Sequence, residues 1–280
     1  MRIPRLALAA LLAGSALCAT AQAGVYLESA DKELDGSKAP TTSKMWFDGG
    51  RMRTERAERS GEQEVVIFKN QTLYTVDSKS KSYRVIDKAT ADQMGAQVAA
   101  AKKQMEARMA AMPPDQRKKM EEMMAKIGKG AAGAMMPGAK PSQRTLTNTG
   151  RTETVAGIQC TVWEAIDGGR KEQELCAAPA SSIPGGDDVI KTFREISTMM
   201  SAFTEKLGGR GGDEPWHDME TLNGVPILTR EFDNGKATSE MRMTVVRKES
   251  VPAASFEVPA GYAEKKLNIP GAKAHGGDDD

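Results

Sequence analysis

The residues that could do chemistry in this chain of 280 are few: two histidines, three cysteines and 17 methionines. His217 sits in Pro215-Trp216-His217-Asp218, and the other histidine, His275, lies five residues from the C-terminus. A general base at His217 would need Asp218 to orient it, but neighbouring residues seldom aim side chains at one another, and no nucleophile accompanies the pair. Gly-x-Ser-x-Gly, His-Glu-x-x-His and glycine-rich phosphate-loop patterns are absent from the sequence. No catalytic residue is assigned, and the expectation is a non-enzymatic protein without a cofactor.

Methionine is the second candidate. Nine of the 17 fall between Met94 and Met136, and thioethers are soft ligands for Cu(I). Met105 with Met109, and Met120 with Met124, are spaced one helical turn apart and form the candidate metal pairs. The competing reading is an adaptable seam or binding surface, because an unbranched, polarizable side chain fills irregular apolar gaps. The spacing favours the seam, so no metal is assigned.

The cysteines carry the firmest expectation. Cys18 lies in an N-terminal leader; Leu17 before it does not suit a lipidated cysteine, which needs a small residue there. That leaves Cys160 and Cys176. A strand over 158–166 runs into Asp167-Gly168-Gly169, a hairpin signal, and returns over 171–177. With a three-residue loop at 167–169, Ile166 faces Arg170 and Cys160 faces Cys176, within bridging distance. Such a staple contributes about 3 kcal/mol on the loop-entropy argument. The same register sets Glu164 opposite Glu172, a mild repulsion.

The leader sets the compartment in which such a bridge survives. Arg2 and Arg5 precede an apolar run too short to span a bilayer, which ends at Ala21-Gln22-Ala23. The expectation is a signal peptide over 1–23, cut after Ala23, and an oxidising periplasm as the destination. Removing two arginines changes the formal net charge from +1 to −1. A chain with 39 basic and 38 acidic residues lacks the excess of a nucleic-acid binder, and no later segment reaches transmembrane length.

The elements that hold these residues follow from period and turn chemistry. Residues 24–88 read as the first part of an antiparallel sheet, with turns at Asp48-Gly49-Gly50, Ser60-Gly61, Asn70-Gln71 and residues 78–81. Charges alternating along 51–57 predict a sheet covered on one side only. If a pocket exists, inward side chains of this sheet would line it: Met45, Phe47, Val66, Phe68, Tyr74 and Val76. Residues 89–141 read as a helical insert and linker. A Thr90-x-x-Gln93 capping box opens it, Met94, Val98, Ala101, Met105, Met109 and Met112 form one stripe, and Pro113-Pro114 breaks it. A second helix carries Met120, Met123, Met124 and Ile127. Between Lys102 and Lys129 basic residues outnumber acidic ones eight to four, so the insert offers a possible contact with anionic membrane surfaces. Residues 142–268 complete the sheet around a helix over 187–207 whose apolar face closes the core. A strand is expected at 255–258 and a disordered tail at 269–280.

Residues 44–53 (Lys-Met-Trp-Phe-Asp-Gly-Gly-Arg-Met-Arg) resemble a strand-turn-strand of periplasmic proteins in the domain-of-unknown-function family 4412. Residues 154–160 and 256–262 resemble two further marks of it. That family is similar in outline to the LolA-like group of lipoprotein carriers. The resemblance implies an α+β fold: a curved antiparallel sheet, an incomplete barrel, with helices plugging its concave side. It also implies a lipid, a lipoprotein acyl chain or an apolar protein segment as partner. A Met-rich copper or envelope-stress protein is the alternative, and a structural envelope protein without ligand is a third.

Overall fold

The chain reverses direction through turns whose residues suit left-handed backbone. The computed structural model describes residues 24–57, 63–117, 144–206 and 221–267. Within these, five hairpins turn on two residues with positive φ: Gly49-Gly50, Asn70-Gln71, Ala156-Gly157, Gly168-Gly169 and Asn234-Gly235. That geometry matches the right-handed twist of the flanking strands. Three of the five contain no Asn and rely on glycine for at least one position, because only glycine takes φ near +77° without a Cβ clash.

Among the described residues twelve strands form a single sheet. The first meander is β1 (Gly24–Glu33), β2 (Thr41–Asp48), β3 (Arg51–Ala57), β4 (Gln63–Lys69), β5 (Thr72–Asp77) and β6 (Ser82–Ile86). After helix α1 (Lys88–Ala110) comes the second: β7 (Thr145–Val155), β8 (Ile158–Asp167), β9 (Arg170–Pro179), helix α2 (Gly186–Lys206), β10 (Gly224–Asp233) and β11 (Lys236–Glu249). The short β12 (Ala263–Glu264) closes the series. The sheet order is β12-β6-β5-β4-β3-β2-β1-β11-β10-β9-β8-β7. Pairing of β1 with β11 joins the two meanders, and among the described strands only β12 on β6 is parallel. The fold is therefore α+β, with an open, curved and mostly antiparallel sheet. The connection from Ile86 to Thr145 links β6, next to one end of the sheet, with β7 at the other.

Helix α2 follows the expected stripe, beginning one residue earlier than expected. Val189, Thr192 and Ile196 are buried, and Ile190, Phe193, Met199 and Met200 pack at the margin of the same core. Asp187 and Asp188 complement the positive end of the helix. Asp188 also accepts a 3.0 Å hydrogen bond from the Gly50 amide, fixing the helix start to the β2–β3 turn. Gly185 must lack a side chain there, since a Cβ would stand 2.4 Å from Val25 Cγ2.

Several expectations are corrected. The cap of α1 is Asp87, whose carboxylate accepts from the Thr90 amide at 2.7 Å; Thr90 is already inside the helix. The Asp side chain reaches the third helical N–H as well as Thr would, and its upstream position lengthens the helix by almost a turn. The α1 stripe is only partly packed: Ala91 is buried and Met94 and Val98 half-buried, whereas Met105 is 41% exposed. Residues 255–258 do not make a strand. Ala253–Phe256 is a 3-10 turn that places Phe256, fully buried, on Val65, Ile67 and Val76. The β2–β5 sheet is thus covered on both faces, not one. The charges of β3 are absorbed by that cover: Arg53 donates to the Ser255 carbonyl at 3.0 Å, and the Arg51 guanidinium lies 4.7 Å from the Phe256 ring centre.

The β8–β9 register also differs from expectation. Asp167 faces Arg170 across a two-residue turn, and a bulge between Ala165 and Ile166 shifts the ladder. Val162 rather than Cys160 faces Cys176, and Glu164 faces Glu174 rather than Glu172. The cysteine pair survives as a diagonal, with Cα atoms 5.3 Å apart and the sulfurs at bonding distance. The expected second insert helix is described only at its start, residues 114–117; its remainder, the expected linker, the expected leader, the expected turn at Ser60-Gly61, the segment carrying His217 and the expected C-terminal tail lie outside the described residues.

Candidate functional site

Two layers of the sheet could serve a ligand, and the residues named from sequence divide between them. Met45, Phe47, Val66 and Phe68 share the face under α2, in one core with Val25, Leu27, Met52, Val189 and Ile196. Phe193 of α2 meets Phe47 with ring centres 5.4 Å apart. Tyr74 and Val76 stand on the opposite face, beneath Phe256. The reason is register: the tight Asn70-Gln71 turn sets Phe68 opposite Leu73, so Leu73 and not Tyr74 joins Phe68. The six therefore do not line one pocket. Phe47 and Phe68 are fully buried in this core, whereas Met45, Val66, Leu73, Phe193, Met199 and Met200 are only partly buried against it.

The seam runs into two cross-strand rows. Ile86, Leu73, Phe68, Met52, Phe47 and Val25 are successive register partners from β6 to β1, an unbroken apolar row. The adjacent row on that face reads Arg84, Thr75, Val66, Thr54, Met45 and Leu27. At the β6 end of both rows lies a hollow of about 450 Å³ lined by Thr75, Arg84, Ile86, Lys266 and Leu267. A second hollow, about 540 Å³, is more polar; Asp31, Arg56, Glu64, Glu231 and Met241 are among its lining residues. In it, burial pushes the Glu231 carboxyl above its ordinary range, against a 2.6 Å hydrogen bond from Gln173.

An ionic network crosses β7 to β11, and no sequence motif announced it. Arg230 donates to Glu153 at 2.8 and 3.0 Å and to Glu240 at 2.9 Å. Arg151 at 2.5 Å and Lys171 at 3.3 Å hold Glu174, and Lys32 holds Glu240 at 3.2 Å. Burial alone would raise both carboxyls. Hydrogen bonds from Arg151 and Lys171 outweigh it at Glu174, and those from Arg242, Arg230 and Lys32 carry Glu240 down to about 2. Carboxylates held ionised in this way suit ion pairing and not general-acid chemistry at neutral pH. Register pairing of Glu164, Glu174, Arg230, Glu240 and Lys32 across successive strands explains the assembly. The alternating charges in each strand were the available signal, but only the register shows that they meet.

Of the metal candidates, Met105 is exposed and Met109 half-buried on α1, while Met120 and Met124 lie outside the described residues. Among the described residues no group of three or more His, Cys, Asp or Glu side chains could hold a metal ion. No described helix is long and apolar enough to cross a membrane.

Comparison with known proteins adds a family. The family described as a domain of unknown function, DUF4412, matches residues 88–262. Residues 154–160 and 256–262 lie inside this range and residues 44–53 before it. No curated protein matches the chain. Among solved structures, an uncharacterized conserved protein from Thermus thermophilus is 8% identical, with 87% of this chain and 90% of that one covered and a TM-score of 0.43. The MucA/MucB complex of Pseudomonas aeruginosa is 10% identical, with a TM-score of 0.35 over 86% of this chain, which spans 56% of that one. A LolA superfamily protein from Nitrosomonas europaea is 8% identical, with 84% and 89% covered and a TM-score of 0.26.

Proposed function

We propose, for a chain that belongs to the DUF4412 family, a non-enzymatic periplasmic role in which the sheet face beneath α2 binds an apolar ligand: a lipid, an acyl chain or an apolar protein segment. The observation that carries this reading is the half-buried seam of Met45, Val66, Leu73, Phe193, Met199 and Met200 between sheet and helix. Side chains that are apolar, adaptable and incompletely covered gain free energy when a ligand finishes their burial, at roughly 25 cal/mol per Å². Helix α2 acts as the lid. Its start is tied to the β2–β3 turn through Asp188, and its end meets α1 through a 2.8 Å Lys206–Asp92 ion pair. The leader over 1–23 and the cysteine pair support an oxidising envelope compartment.

The test is native mass spectrometry of protein purified from a periplasm under mild conditions, with metal analysis on the same sample. A co-purified mass of several hundred daltons released by organic solvent is the expected result. Stoichiometric copper on otherwise clean protein would favour the methionine reading instead. A bare polypeptide that also takes up no acyl probe would overturn the carrier reading and leave a structural envelope role.

A further inference from the structure

The hollow at the β6 end of the sheet joins charge to the apolar rows described above. Arg84 and Lys266 line it, and among the described residues neither side chain has an ion-pair or hydrogen-bond partner. The next acid along the chain from β6, Asp87, is committed to capping α1. Lys266 arrives there because the C-terminal segment, after crossing the outer face at Phe256, runs parallel to β6. The Lys265 amide donates to the Tyr83 carbonyl at 2.8 Å. The hydroxyl of Thr75, register partner of Arg84, is the third polar group, and Ile86 and Leu267 supply the apolar wall.

From this mouth the Arg84 row changes from cationic through polar to its first apolar residue in two strand spacings, beside a row that is apolar throughout. Arg84 and Thr75 give way to Val66, Thr54 and Met45 in one row, and Ile86 to Leu73 and Phe68 in the next. Arg84 to Met45 spans four strand spacings, about 19 Å, a length suited to an extended acyl chain. We infer that this site takes an amphiphile with an anionic head, a carboxylate or phosphate, its head held by Arg84, Lys266 and Thr75 and its tail laid across the strands toward the α2 seam. The inference rests on the apolar-ligand reading above and adds the head-group class and its position. Two cations and a hydroxyl around one hollow supply charge-assisted hydrogen bonds to an oxyanion, and guanidinium geometry fits its paired oxygens.

The experiment uses the full mature chain and the neutral fluorescent probe N-phenyl-1-naphthylamine, displaced by dodecanoate, dodecyl phosphate or dodecanol. Dodecanoate and dodecyl phosphate should displace the probe about tenfold more tightly than dodecanol, with the preference shrinking as salt is raised. The Arg84→Gln/Lys266→Gln double variant should lose that preference while keeping probe and dodecanol affinity and its unfolding midpoint. Arg84→Lys should retain most of it. Probe binding with equal affinity for the charged and neutral chains, unchanged in the double variant, would overturn the head-group site alone. Absence of probe binding would overturn the apolar-ligand reading and this inference with it. Inorganic phosphate binding as tightly as dodecyl phosphate, without displacing the probe, would make the site one for a free anion and overturn the amphiphile.

Discussion

Arg230 presents its guanidinium to Glu153 through two hydrogen bonds, 2.8 and 3.0 Å long, joining β10 to β7 across the two strands between them. Beside this contact β7 also approaches β11, four strands away in the sheet order, so the β7 end curls toward this face. The same guanidinium reaches Glu240 at 2.9 Å and Glu174 at 3.4 Å, two carboxylates that are each only 7% exposed. Curvature of the second meander and neutralisation of its inner charges are thus one arrangement.

Arg230→Met should therefore be costly, because it removes Glu153's close cationic partner and takes the shared guanidinium from Glu174 and Glu240, which keep only their more exposed partners Arg151, Lys171, Arg242 and Lys32. The expected loss is about 3 kcal/mol, near the lower end of what removing one partner from a buried ion pair costs. Glu153→Gln, at a more exposed position, should cost about 1 kcal/mol. Urea unfolding of the two variants checks the ratio; equal, small losses would contradict a central role for Arg230.

The network also gives acid sensitivity with a defined sign. Glu240 titrates near its ordinary value of 4.5 when unfolded and at about 2 when folded, and Glu174 is also held low. Stability from these groups is complete above pH 4.5 and is lost as pH falls from there toward 2. Unfolding midpoints measured from about pH 6 to about pH 2.5 should drop, and the drop should be shallower in Glu240→Gln. An equally steep drop in that variant would exclude Glu240 as a contributor.

Reduction of the diagonal bridge should be felt globally. Cys160 and Cys176 are both buried in the α2-covered core and are 16 residues apart in sequence. Cys160→Ser/Cys176→Ser should lose about 3 kcal/mol. Reductant should lower the unfolding midpoint of the parent protein and leave that of the double variant unchanged.

Helix α2 should behave as part of the core as well as a lid. Ile196→Ala, at a buried position facing the sheet, should cost about 3 kcal/mol, and Phe193→Ala at the half-open seam about half as much. Denaturant titration gives both values. A negligible cost for Ile196→Ala would mean that the helix is not docked in solution.

Backbone strain offers a gain. Ala156 sits at φ +49° in the β7–β8 turn, where an L side chain costs about 1 kcal/mol. Ala156→Gly should raise stability by about that amount, read as an upward shift of the thermal midpoint; a fall would show that the alanine methyl is needed elsewhere.

The residue pattern by itself determined the local elements, because period, caps and turns act over a few residues. Strands β2, β5 and β6, the Asn234-Gly235 hairpin, the α2 stripe and the stop before Pro113 all follow from neighbours in sequence. It also determined which cysteines pair, since two strands on one tight turn leave little choice. Tertiary structure decided what depends on register and on distant partners. A bulge at Ala165–Ile166 moved Cys176 opposite Val162, and one two-residue turn put Tyr74 on the face opposite Phe68. A 3-10 turn from the far end of the chain covered the face that the alternating charges of β3 had assigned to water. The Arg230 network and the Arg84–Lys266 hollow belong to this second class. Their members are far apart in sequence, and a one-residue slip in any strand would send a side chain to the other face.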